Sequence, residues 1–196
     1  MTDFKNLWGQ SYDEVSASFQ LGINKDVVLH DIKYEEGQYG PQLYVEFHLG
    51  QSRNRTWFSI PQPEEVTSGR ITSERFNELV TRFNSIIKHI VCNYVTEEQY
   101  HAQLKNYESP EQFVNDVLSL IPNNFQELKG ELILMYNKKG YLSVPVSMKL
   151  TGPFWSVGGR HKLVPSQLVM NSASEVSATS NNQGNPPAAL NDDMPF

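Results

Sequence analysis

Hydrophobic and polar positions alternate most clearly between Pro41 and Ile60, PQLYVEFHLGQSRNRTWFSI, and the alternation predicts two strands joined at Leu49-Gly50-Gln51-Ser52. In the first, Leu43, Val45, Phe47 and Leu49 alternate with Gln42, Tyr44, Glu46 and His48; in the second, Asn54, Thr56, Phe58 and Ile60 alternate with Arg53, Arg55, Trp57 and Ser59. Successive side chains of a strand point to opposite faces. One face of this hairpin can therefore cover a core, while the other carries Tyr44, Trp57, Arg53 and Arg55.

The same reading extends to both sides. Met1 to Glu14 is polar with isolated Phe4, Leu7 and Trp8, and reads as an arm. Ser16 to Glu36 reads as a long extended segment whose parity breaks around Val27-Val28-Leu29, near Gly22 and Asn24, which predicts a bulge or bend. Pro63 to Thr72 is a polar loop. Helical spacing then takes over: Phe76, Leu79, Val80, Phe83, Ile86, Ile87, Ile90, Val91 and Tyr94 trace one apolar face. Thr96-Glu97-Glu98-Gln99 has capping-box form and opens a short helix, and Ser109-Pro110-Glu111-Gln112 opens another that Pro122 stops. The helical segment spans about 73–121. Leu128 to Tyr136 is an apolar strand, Asn137-Lys138-Lys139-Gly140 a hairpin turn, and Tyr141 to Leu150 an alternating strand. In that last strand Pro145 lacks an N–H to donate, which marks an edge or a bulge. Phe154 and Trp155 end the ordered part, as core or as exposed aromatics.

Composition divides the chain at about residue 165. Ser166 to Phe196 is rich in Ser, Asn, Ala, Gln and Pro and contains no Lys or Arg. Such material buries too little apolar surface to offset chain entropy, so 166–196 is expected to be a disordered tail behind a single domain, 1–165. The formal net charge is -6; without Glu175, Asp192 and Asp193 the chain has 19 acids against 16 bases. A polyanion site on such a body has to be a local basic patch. Cys92 is the one cysteine, which leaves no disulfide framework or thiolate zinc site and suits a reducing cytoplasm. No apolar run approaches the ~20 residues of a membrane helix, and the first residues have no basic-then-apolar leader pattern.

Three strands, a helical segment and two more strands resemble the order of the OB-fold, a five-stranded barrel with its helix between strands three and four. The resemblance implies a mainly β protein with a helical insertion. It also implies a single-strand site on strands two and three, where Tyr44, Trp57, Arg53 and Arg55 fall. The end of the tail, Asn191-Asp192-Asp193-Met194-Pro195-Phe196, resembles the acidic Pro-Phe tip of bacterial and phage single-stranded DNA-binding proteins, with Asn191 where an acid is common and Met194 where Ile is common. The body is closer to a divergent phage-type member than to the ordinary bacterial family. What the resemblance implies is nonspecific binding of single-stranded DNA in replication, recombination or repair. Tyr44, Trp57 and Tyr141 would stack on bases, and Arg53, Arg55, Lys138 and Lys139, with Arg160 and Lys162 behind them, would hold phosphates. Asp192, Asp193, Met194, Pro195 and Phe196 would recruit partner proteins.

Other functions fit less of the chain. The five histidines, at 30, 48, 89, 101 and 161, lack paired metal-ligand spacing. There is neither a phosphate-cradling glycine loop nor a nucleophile elbow, so no cofactor or catalysis is expected. Asp31-Ile32-Lys33 and Glu127-Leu128-Lys129 have the acid-x-Lys form of some nuclease sites, a pattern that also arises often by chance. His89 and Cys92 fit a helix flank and a buried thiol. An RNA-binding OB protein would share the same platform, whereas a protein-interaction module would use the tail as a tether and bind no oligonucleotide.

Overall fold

A computed structural model describes residues 17–137, 140–145 and 153–163. The expected N-terminal arm, the Lys138-Lys139 turn and the 166–196 tail with its tip lie outside the described residues. The elements in order are β1 (Gly22–Gly37), β2 (Gly40–Leu49), β3 (Ser52–Ser59), α1 (Pro63–Thr67), α2 (Ser73–Val91), α3 (Glu97–Gln103), α4 (Pro110–Leu118), a 3-10 turn (Phe125–Glu127), β4 (Lys129–Tyr136), β5 (Leu142–Ser143) and β6 (Trp155–Val157). The strands pair antiparallel in the order β3-β2-β1-β4-β5, with β6 also on β4. The sheet curls until its ends nearly meet: the Asn54 amide on β3 donates to the Leu142 carbonyl on β5 at 3.2 Å. This is a nearly closed OB-like barrel with its helices between β3 and β4.

β1 serves two neighbours because it bends twice. Its register slips between Asn24 and Val27 against β4, and between Leu29 and Asp31 against β2. Asp26 supplies the first bend with φ 58°, a left-handed conformation that Asp tolerates better than most residues. At the second bend His30 is the extra residue. Its insertion keeps Leu29, Ile32 and Tyr34 toward the interior and turns Asp31, Lys33 and Glu35 outward, opposite Glu46, Tyr44 and Gln42.

The interior is one apolar cluster. Val27, Leu29, Leu43, Val45, Phe47, Phe58, Leu132 and Leu134 come from the barrel, and Phe83, Ile86, Ile87, Ile90 and Val91 from α2. Each such side chain contributes about 1.5–3 kcal/mol by leaving water. Local signals set the helix limits: the Thr72, Thr96 and Ser109 hydroxyls accept from the N–H groups of Arg75, Gln99 and Gln112.

The C-terminal strands differ from the expected pattern. Only Leu142–Ser143 pairs as β5, and residues 146–150 of the expected strand lie outside the described residues. Alternation along the expected strand would turn Pro145 outward, beside inward Val144 and Val146; instead Val144 and Pro145 are both buried. The chain returns to β4 as β6, which the sequence does not announce, and the Ile133 N–H donates to the Phe154 carbonyl at 2.8 Å. Phe154 and Trp155 are wholly buried core residues. Trp155 packs on Phe47 at 5.1 Å and Phe154 lies 4.8 Å from the His89 ring, so this segment wedges between barrel and α2. The α2 side fastens it: the Trp155 N–H donates to His89 Nε2 at 3.1 Å, and the Val157 N–H to Asn93 Oδ1 at 2.8 Å. The expected Pro63–Thr72 loop contains a helical turn, α1, which Pro63 opens and where Glu65 accepts from the Gln62 N–H at 3.3 Å.

Candidate nucleic-acid interface

The β2–β3 register brings the four residues singled out in the hairpin onto one outward face. Tyr44 pairs with Trp57, Glu46 with Arg55, and His48 with Arg53. β1 extends each row, so the face is crossed by Lys33-Tyr44-Trp57, then Asp31-Glu46-Arg55, then Val28-His48-Arg53. Lys129 on β4 lies opposite Val28 and lengthens the last row.

The aromatic row has a supported and an open member. Trp57 is 49% exposed, whereas Tyr44 is only 8% exposed. Their rings lie 5.5 Å apart, tilted by 58°, and the Lys33 ammonium sits 4.9 Å over the Tyr44 ring. Asp31 pairs with Lys33 at 3.0 Å and raises its pKa through that hydrogen bond. The indole N–H of Trp57 donates to Glu35 Oε1 at 2.8 Å, where Gln42 also donates at 3.1 Å. Trp57 is thus oriented at its edge while part of its surface stays open to solvent.

Glu46 is the centre of the face. Its carboxylate accepts from the Tyr44 hydroxyl, from His48 Nε2 at 2.7 Å and from Arg55 Nε at 3.2 Å. The Tyr44 and His48 hydrogen bonds, with Arg55 adding its charge, hold the Glu46 carboxyl down at about 2. Burial and the same carboxylate push the Tyr44 hydroxyl up to about 12. Glu46 therefore stays ionised, His48 Nε2 carries a proton toward it, and the Arg55 guanidinium is held in an ion pair. Arg53 is exposed and has no ion-pair partner among the described residues.

The remaining expected site residues separate. Tyr141 is 68% exposed beside the β4–β5 turn, its N–H donating to Asn137 Oδ1 at 3.0 Å. Lys138, Lys139 and the tip residues Asp192, Asp193, Met194, Pro195 and Phe196 lie outside the described residues. Lys162 is exposed. Arg160 is spent on structure, donating to the Cys92 and Val95 carbonyls at 3.4 and 3.0 Å just after α2. Two residues that the hairpin pattern did not single out also mark this surface: Glu46 organises it and His30 stacks on His48. Tyr39 stands 89% exposed at the β1–β2 turn. Only Tyr39 had a readable signal, an aromatic between Gly37 and Gly40.

Elsewhere, His89 is enclosed, and burial, then the neighbouring His161, lowers its pKa to about 3. Cys92 is buried at the end of α2, and burial raises its thiol pKa. Lys129 of the second acid-x-Lys motif faces Asp26 at 3.5 Å. Among the described residues no cluster of three His, Cys, Asp or Glu side chains is arranged to hold a metal, and no helix is long and apolar enough to cross a membrane. An open polar hollow of about 790 Å³ lies on the helical insertion, lined by residues that include Lys105, Glu108, Gln112 and Asp116. Comparison of the chain with protein-family models, curated proteins and solved structures gives no match.

Proposed function

We propose that this protein binds single-stranded DNA without sequence preference, on the outward face of β1–β3, and serves replication, recombination or repair. The observation that carries the reading is Trp57: a half-exposed indole, held at its edge by Glu35, on the same face as Arg53 and Arg55 of an OB-like barrel. Every base has a stacking face, so such a ring binds single strands whatever their sequence, at about 1–3 kcal/mol per base. The bases would lie over Trp57, with Tyr44 as its support, and the backbone would pass Arg53. Tyr141 and the Lys138-Lys139 turn would extend the path from the β5 side. The tip, Asp192 to Phe196, is proposed to dock on partner proteins in a cytoplasmic setting, its acids steering and its ring anchoring. The protein is proposed to do this without catalysis.

The test is a gel shift with labelled oligo-dT, oligo-rU and duplex DNA at two salt concentrations. Oligo-dT should be retained, duplex should not, and Trp57→Ala should weaken binding by roughly 1–3 kcal/mol in a protein that still melts cooperatively. Preference for oligo-rU would move the same face to single-stranded RNA. No binding of any oligonucleotide would leave a protein-interaction module.

A further inference from the structure

We propose that His30, His48 and Arg53 form a second nucleotide subsite on this face, where a base stacks on the open side of His30 and its phosphate is taken by Arg53. The proposal rests on the single-strand reading above and extends it to residues outside the aromatic row. The His30 and His48 rings are stacked, with centroids 3.8 Å apart and planes within 13°. The β1 bulge creates this arrangement: His30 is the residue without a register partner between Leu29 and Asp31, and a bulge re-aims the side chain it carries. His48 is pinned underneath because its Nε2–H is committed to the ionised Glu46 carboxylate. The His30 backbone is held as well, its carbonyl accepting from Gln126 Nε2 at 2.6 Å. The His30 imidazole is exposed and has no hydrogen-bond or ion-pair partner among the described residues.

A pinned ring beneath and an open ring above make a stacking surface whose ordering cost is already met in the fold. Arg53 is the register partner of His48, exposed and without an ion pair among the described residues. A guanidinium there sits at the flank of the stack and suits phosphate. Asp31 and Glu46 are already engaged by Lys33, and by Tyr44, His48 and Arg55, and Lys129 at the far end of the row is paired with Asp26 at 3.5 Å, which leaves Arg53 as the cation flanking the stack. His48 is four residues along β2 from Tyr44, about 13 Å at 3.3 Å per residue. The subsite is thus a separate station for one extended strand, apart from the Trp57 position.

The experiment measures anisotropy of a labelled oligo-dT of about 16 nucleotides, the long end of single OB-fold sites, with full-length protein. His30→Ala should weaken binding about 5- to 150-fold, the loss of one stacked base, and His30→Phe should restore it. Arg53→Gln should flatten the dependence of log affinity on log salt by about 0.7. If Trp57→Ala weakens binding but His30→Ala does not, the subsite is overturned while the single-strand reading stands. If His30→Ala and His30→Phe are equally weak, stacking is overturned as its basis. If the wild-type protein binds no oligonucleotide, both readings fall.

Discussion

On the face proposed to take single strands, a buried carboxylate acts in two opposed directions. Glu46 repels phosphate, yet it also orders the Tyr44 hydroxyl, the His48 ring and the Arg55 guanidinium. Removing its charge separates the two effects. Glu46→Gln should release Arg55 for phosphate, raising oligo-dT affinity at low salt and steepening the salt slope by about 0.7. It should also destabilise the fold by roughly 1–3 kcal/mol, because the donors around it lose a charged acceptor. A salt titration and a urea melt of the same variant check both; an unchanged slope would mean that Arg55 never reaches phosphate. At this scale the sequence was legible where a period of two decides: Tyr44, Arg53, Arg55 and Trp57 share a face because strand parity requires it. The role of Glu46 was not legible: parity puts Tyr44 and His48 on its face, but Arg55 joins them only once the β2–β3 register is set. His30 was hidden for a related reason, because a bulge suspends the parity by which it would be read.

Among the elements, β6 depends on a contact that only glycine permits. A Cβ on Gly130 of β4 would lie 2.5 Å from the Ser156 carbonyl oxygen and 2.7 Å from the Trp155 ring. The ring belongs to a fully buried side chain and the oxygen to the backbone, so neither yields easily. Gly130→Ala should cost about 1–3 kcal/mol as overpacking and loosen β6 from β4. Amide hydrogen exchange should then show lost protection at Trp155–Val157 while β2 and β3 keep theirs; uniform loss would instead mean global destabilisation. Helix limits could be read from the chain because capping chemistry is local: Thr72, Thr96 and Ser109 each announce a start. β6 could not be read, being three residues long and held by side chains far away in sequence, His89 of α2 and Asn93 just after it.

For the whole molecule, acid is the condition that tests the seam between barrel and helices. His89 has a folded pKa of about 3 against an ordinary 6.5, so between those values the unfolded chain binds a proton that the folded chain refuses. The stability tied to His89 is therefore complete above about pH 6.5 and declines as pH falls toward 3, by up to about 1.4 kcal/mol per pH unit. His161, also lowered by burial, adds in the same direction. Glu46, held at about 2 against an ordinary 4.5, adds its own loss only below 4.5. Urea melts should show stability falling from pH 6.5 to 4.5. His89→Gln, which can still accept the Trp155 N–H, should flatten that window; an unaltered slope would remove His89 from the account. The order of strands and the place of the helical insertion were legible at this scale because each element carries its own periodicity. The closing of the barrel was not, because among the described residues the hydrogen bond across its seam is a side-chain one, from Asn54 to the Leu142 carbonyl.

The contrast between Trp57 and Trp155 has a practical consequence. The chain has three tryptophans; Trp8 lies outside the described residues, Trp57 faces water and Trp155 is wholly enclosed. A water-facing indole emits toward longer wavelengths than an enclosed one. With Trp8 replaced by Phe, a single emission spectrum therefore contains two reporters: its red side follows events at the outer surface, and its blue side follows the integrity of the wedge between barrel and α2. Quenching confined to the red side marks occupancy of the face in an intact protein, and a red shift of the blue component marks its opening, so ligand contact and unfolding can be read separately from one unlabelled sample.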